Sequence, residues 1–122
     1  MTGKLYTVEE ANALLPHIAP ALVELREKFE EAVEIRATVA RIGQGNGWSS
    51  DRDEWAATLQ RVAELLERFQ KWEVEIKDVG TGLVDFPTVM EGEAAYLCWR
   101  LGEAEVAHWH TIEGGFAGRR RL

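Results

Sequence analysis

From Ile18 to Val39 the apolar positions recur at alternating spacings of four and three: Ile18, Leu22, Leu25, Phe29, Ala32 and Val39, broken only by Arg36. That period draws one apolar seam along a long helix, and Glu24, Glu27, Glu30, Glu31 and Glu34 mostly cover its wet side. Upstream, Thr7 and Glu10 stand at capping-box spacing, which predicts a helix start at Val8. Pro16 and Pro20 interrupt the pattern, and a proline inside a helix removes a hydrogen bond and crowds the preceding turn. A kink, or a short first helix ending near Leu15, is therefore expected. Gly43, Gly45 and Gly47 close the long helix, and Ser49 or Ser50 is placed to cap the next one. There Trp55, Leu59, Val62, Leu66, Phe69 and then Trp72 or Ile76 repeat the spacing. Two seams of similar length across a short glycine-rich loop predict an antiparallel helical hairpin.

Beyond Asp78 the period falls to two. Residues 83–89, 94–101 and 105–111 are short runs of branched and aromatic side chains, separated by Glu91-Gly92 and Gly102-Glu103. They predict a three-stranded antiparallel β-meander, with an extra edge strand near residues 74–79 as an option. Pro87 cannot donate to a ladder, which assigns the first strand to an edge and residues 94–101 to the middle. If both loops have two residues, Asp85 faces Cys98, Cys98 faces Ala107, Arg100 faces Glu105 and Tyr96 faces Trp109. The other face then collects Val84, Phe86, Leu97, Trp99, Leu101 and Val106, with His108 and His110 at one end, and docks on the helices. A one-residue slip in either hairpin exchanges these neighbours. The expected fold is α+β in a single domain, 1–122: helical part 7–76, meander 78–113 and a C-terminal arm 114–122.

The 122 residues are 46% hydrophobic, enough for one modest core. Trp48, Trp55 and Trp72 offer more aromatic surface than two helices can bury, so the surplus packs on the sheet or on another subunit, and a homodimer with a four-helix core is the favoured expectation. A net charge of -7 opposes sequence-independent binding of nucleic acid or an anionic membrane. A lone cysteine forms no internal disulfide, and no apolar run reaches spanning length or resembles a signal peptide. A cytoplasmic setting is expected.

Words spread along the chain resemble one known family. They are Thr7-Val-Glu-Glu-Ala-Asn-Ala-Leu-Leu-Pro16, Lys77-Asp78, Gly82-Leu-Val-Asp-Phe-Pro87, Tyr96-Leu-Cys-Trp99, Leu101-Gly-Glu103, Trp109-His110 and Gly115-Phe-Ala-Gly-Arg119. Together they resemble the uncharacterised bacterial group known as domain of unknown function 2203, over nearly the whole chain. The family pattern centres on Trp109-His110, which leaves His108 peculiar to this member, and it ends with a proline where this chain has Arg121. The resemblance implies no established activity.

Candidate chemistry gathers in the last third: Asp85, Cys98, Trp99, Arg100, Glu103, Trp109, His110 and Arg119. His108 and His110, two apart on a strand, with Cys98 on the next strand and Asp85 or Glu103, offer the nitrogen, sulfur and carboxylate donors that zinc takes. In the register above, however, Cys98 and Asp85 point away from the histidines. The plainer alternative makes His110 a hydrogen-bonded core or rim histidine and Cys98 a small buried hydrophobe. A Cys98–histidine nucleophile pair would need an accessible thiolate within hydrogen-bond reach. Asp85 in an apolar strand needs a partner, with Arg100 or Arg119 at hand, or else serves as an acid or base with a shifted pKa. The glycines of 114–118 would let backbone amides approach an anion that Arg119 clamps; alternatively Phe116 anchors the arm in a hydrophobic groove. Glu103 is read as a turn residue, and the arginines at 119–121 as a weak nucleic-acid contact. The leading reading is a non-catalytic homo-oligomeric module for an unidentified small ligand or protein partner. The alternative is a zinc-dependent enzyme or metal-binding protein with its site on the sheet.

Overall fold

The computed structural model describes residues 3–42 and 48–122. Helix α1 spans Val8–Ile42 and α2 spans Trp48–Trp72. Five strands follow: β1 (Glu75–Asp78), β2 (Leu83–Met90), β3 (Glu93–Arg100), β4 (His108–Thr111) and β5 (Arg120–Arg121). All neighbours in the sheet pair antiparallel in the order β1-β2-β3-β4-β5. The class is α+β, but the sheet has five strands where the hydrophobic period marked three. The optional edge strand before Val79 exists as β1, and the arm supplies β5.

The capping box forms at the start of α1. Glu10 N–H donates to Thr7 Oγ1 at 3.1 Å and Thr7 N–H donates to Glu10 Oε1 at 2.9 Å. Pro16 and Pro20 lie inside α1 rather than ending a first helix at Leu15. Both are exposed, and the helix continues through them. The loop glycines 43, 45 and 47 lie outside the described residues. Helix α2 begins at Trp48, so Ser49 and Ser50 sit within it rather than capping it. The α1 seam holds at Ile18, Leu22, Leu25 and Ala32, whereas Phe29 is exposed; the side chain of Val39 is outside the described set. Along α2 the buried positions are Thr58, Val62, Leu65 and Phe69, and the expected Leu59 and Leu66 face outward. The helix ends at Trp72, and Ile76 belongs to β1.

One core joins helices and sheet: Ile18, Leu22, Leu25 and Leu65 pack with Val84, Phe86, Leu97, Trp99 and Trp109. Fully burying each such side chain contributes roughly 1.5–3 kcal/mol before entropy is counted. The helices meet from the Tyr6 hydroxyl, which donates to Trp72 O, to the Arg61 guanidinium, which donates to both Glu24 carboxylate oxygens at 2.6 and 2.8 Å.

Two turn geometries set what the sheet presents. Glu91 (φ 53°) and Gly92 (φ 80°) form the two-residue turn between β2 and β3. The tight turn fixes the register, with Asp85 opposite Cys98 as expected. The second connection is different. Residues 101–107 form a loop rather than a two-residue turn, and β4 begins only at His108. Cys98 therefore faces His108, not Ala107, and Tyr96 faces His110, not Trp109. The loop is held by Val106 N–H to Asn12 Oδ1 (2.7 Å), Trp99 Nε1–H to Glu103 O (3.0 Å) and Leu101 N–H to Gly82 O (2.9 Å). The slip moves Trp109 into the core and both histidines to the opposite face, beside Asp85 and Cys98. The expected Arg100–Glu105 pair gives way to Arg100 N–H donating to Glu103 Oε1 at 2.8 Å.

Strand β2 is an interior strand, not an edge. Its pairing with β1 stops at Glu75–Asp85, so Pro87 faces no ladder partner there, and its carbonyl accepts Tyr6 N–H at 2.7 Å.

Candidate functional site

On the sheet face turned away from the helices, three strands each contribute one buried group. Asp85 (β2), Cys98 (β3) and His110 (β4) are 1%, 0% and 3% exposed. One ligand atom from each lies within 4.8 Å of the others. His110 Nε2 stands 3.0 Å from both Asp85 Oδ1 and Oδ2, and Nδ1 stands 2.7 Å from the carbonyl of Thr111. A carbonyl only accepts, so Nδ1 carries a hydrogen. Nε2 then faces two carboxylate oxygens, and something positive must lie between them: a proton or a metal ion. With a proton, the imidazole–carboxyl pair is neutral overall, which is how a buried pair escapes the cost of a bare charge. Burial pushes the Asp85 carboxyl above its ordinary range, against the opposing pull of the hydrogen bond from His110. Burial likewise raises the Cys98 thiol to about 11.

The partner of Asp85 is thus His110 and neither Arg100 nor Arg119. Arg119 donates to both oxygens of Glu103, at 2.8 and 3.0 Å, and its charge lies near the Cys98 thiol. Although burial raises the Glu103 carboxyl, the Arg119 hydrogen bond and the Arg100 amide outweigh it and hold the group below its ordinary value. Glu103 is therefore a hub for loop and arm, not a plain turn residue. His108 does not converge with the cluster; its Nδ1 lies 4.0 Å from Glu103 Oε2. Trp99 and Trp109 point to the core, so their part is to back the sheet.

Two contributors escaped sequence reasoning. Tyr96 lies tilted against His110, with ring centroids 5.6 Å apart. The Glu75 carboxylate beside its hydroxyl, together with burial, raises the phenol to about 12. The alternation of β3 placed Tyr96 on the Cys98 face, but nothing in the chain announced that β1 would bring Glu75 alongside. In the arm, Phe116 is 40% exposed rather than anchored in an apolar groove. The Arg119 and Arg100 guanidinium groups lie 4.7 and 5.8 Å from its ring centroid. Arg120 lies over Trp109 at 5.2 Å.

The three clefts described, of about 600, 470 and 450 Å³, include none of Asp85, Cys98 and His110 in their walls. Nor does the geometry make a nucleophile pair of Cys98 with His110. Both imidazole nitrogens are committed, one to Thr111 O and one to Asp85, which leaves none to take the Cys98 proton.

Residues 4–122 match the model of a family described as an uncharacterized conserved protein, DUF2203. The chain belongs to this family. Neither a curated protein nor a solved structure matches it. The DUF2203 match covers every strand that bears the cluster, so the Asp85–Cys98–His110 face lies inside the family's own span. Among the described residues, no helix is long and apolar enough to cross a membrane.

Proposed function

We propose that this DUF2203 chain is a metal-binding module that holds one divalent ion of the zinc type between Asp85, Cys98 and His110. The observation that carries the reading is the locked imidazole. Nδ1–H donates to Thr111 O, so the Nε2 lone pair is aimed at a carboxylate and a thiol. A backbone carbonyl on the far nitrogen is the arrangement that orients metal-ligating histidines. Tetrahedral zinc holds nitrogen and oxygen at about 2.1 Å and sulfur at about 2.3 Å, so its donors sit roughly 3.4–3.7 Å apart. With His110 and Asp85 3.0 Å apart and all three ligand atoms within 4.8 Å of one another, shifts of about 1 Å would give that spacing. The ion would displace the shared proton and the thiol proton, and the Arg119 charge beside Cys98 would offset part of the burial that keeps the thiol protonated.

Burial offers no approach to substrate and favours a structural role over turnover, with the fourth tetrahedral position left unfilled by these three donors. Loading is coupled to folding, as in other sites that do not exist in the unfolded chain. The nucleic-acid alternative loses ground, because Arg119 is tied to Glu103 and Arg120 rests on Trp109.

The test is to unfold the protein, refold it with one equivalent of cobalt(II), and record the near-ultraviolet and visible spectrum. A thiolate-to-cobalt charge-transfer band that vanishes in Cys98→Ser, together with tetrahedral d–d bands that change in His110→Ala, supports the site. A spectrum of free cobalt, in protein whose circular dichroism is native, refutes it.

A further inference from the structure

A second feature stands apart from the cluster: the helices outrun the core. The core shared with the sheet stops at Leu25 on α1 and Val62 on α2, yet α1 continues to Ile42 and α2 starts at Trp48. Arg26 marks the step, since its Nη1 donates to Gly80 O at the β1–β2 turn, 3.5 Å away. Past this point Phe29, Val33 and Leu59 are 39%, 67% and 39% exposed.

Helical phase shows that they share one face. At about 100° per residue, Phe29 and Val33 lie to the same side of the Leu25 line as Leu15 and Leu22, which pack in the core. Leu59 lies to the same side of the Leu65 line as Val62 and Phe69, which are also buried. The contacts Tyr6–Trp72 and Glu24–Arg61 run the helices in opposite directions, so equal offsets fall on one side of the pair. The opposite side carries Glu24, Arg61 and Glu64, joined by ion pairs. The overhang is thus an apolar shelf that continues the sheet-bearing face beyond the sheet, ending in a step.

We propose that a second copy of this chain covers the shelf, through a two-fold axis that stacks two antiparallel hairpins into a four-helix bundle. Shape and area both argue for it. A rod lying along the shelf must stop at the step, and an identical overhang has the matching length. The roughly 17 residues from Arg26 to Ile42 extend about 26 Å, and two helices side by side are about 20 Å wide. The footprint is on the order of 500 Å² per copy, or about 1,000 Å² in all, which reaches the size of a specific interface. The two-fold relation makes the contact self-complementary and closed. Val33 sits near the middle of the overhang and so near the axis.

The test is the mass in solution at micromolar concentration, by light scattering after gel filtration. The wild-type chain is expected at twice 13.8 kDa, 27.6 kDa. Val33→Glu, at a site already open to water in the single chain, is expected at 13.8 kDa with unchanged circular dichroism. Val33→Cys under mild oxidation is expected to give a covalent dimer, while the wild type, whose lone Cys98 is buried, gives none. This cysteine variant decides the matter if Val33→Glu fails to fold. A monomeric wild type overturns the proposal, as does a dimer that survives Val33→Glu or that Val33→Cys does not lock.

Discussion

Replacing Asp85 by asparagine and by alanine separates two accounts of the buried cluster in metal-free protein. His110 keeps Nδ1–H on Thr111 O, and Nε2 sits 3.0 Å from each Asp85 oxygen. If the pair is neutral and shares one proton, Asp85→Asn supplies an amide N–H in place of that proton and leaves the ring neutral. The loss is the difference between a charge-assisted and a neutral hydrogen bond, about 1 kcal/mol. Asp85→Ala removes the partner outright, strands Nε2 in a site 3% exposed and leaves a small cavity. It should cost about 3 kcal/mol. For a domain of this size each kcal/mol moves the melting point by roughly 4 °C, so the expected drops are about 4 °C and about 12 °C. Thermal and urea melts in the presence of chelator, at neutral pH, provide the comparison. Equal losses for the two variants would refute the shared-proton reasoning and mean that the charge itself is required.

Other outcomes follow from the same geometry. Burial raises the Cys98 thiol to about 11, above its unfolded value, so the proton is held longer in the folded state. Its contribution is fully present below about pH 8.5 and fades as pH rises toward 11, on the order of 3 kcal/mol, because the unfolded state releases the proton first. Cys98→Ala should flatten that alkaline decline in urea titrations, and an unchanged slope would count against the burial. Glu103 titrates the other way. Its folded value is depressed, so its contribution is present above about pH 4.3 and is lost as pH falls through the folded value. Glu103→Gln should remove that acid limb and loosen residues 114–121 in hydrogen exchange; unaltered exchange would deny Arg119–Glu103 its hold on the arm. At Gly82, with φ at 70°, an added Cβ would lie 2.5 Å from Leu101 Cβ. Gly82→Ala should cost about 2–4 kcal/mol by urea unfolding, and a cost under 1 kcal/mol would show that the turn relaxes freely.

The parts of the fold written in short-range chemistry were legible in advance. Thr7 and Glu10 marked the start of α1, and the Glu91-Gly92 turn carried the β2–β3 register, hence Asp85 beside Cys98. What escaped depends on distant partners. The 101–107 loop is closed by Asn12, Trp99 and Gly82, and no local pattern reveals those contacts. Its extra residues shift β4 by one, and with side chains alternating, that single step brings His110 to Asp85 and sends Trp109 inward. Leu65 in place of Leu66 on α2 is a similar one-position choice, made by the sheet packed against it. The prolines misled in one sense only: a missing donor matters where a ladder or a buried turn needs it, and Pro16, Pro20 and Pro87 all sit where none does.

The central claim is most directly tested by crystals of protein refolded with zinc, with diffraction collected on both sides of the zinc absorption edge. The account predicts one anomalous peak on the β2–β3–β4 face, about 2.0–2.3 Å from an Asp85 oxygen, Cys98 Sγ and His110 Nε2. No peak there, with His110 Nε2 still bonded directly to Asp85 at zinc saturation, would contradict it.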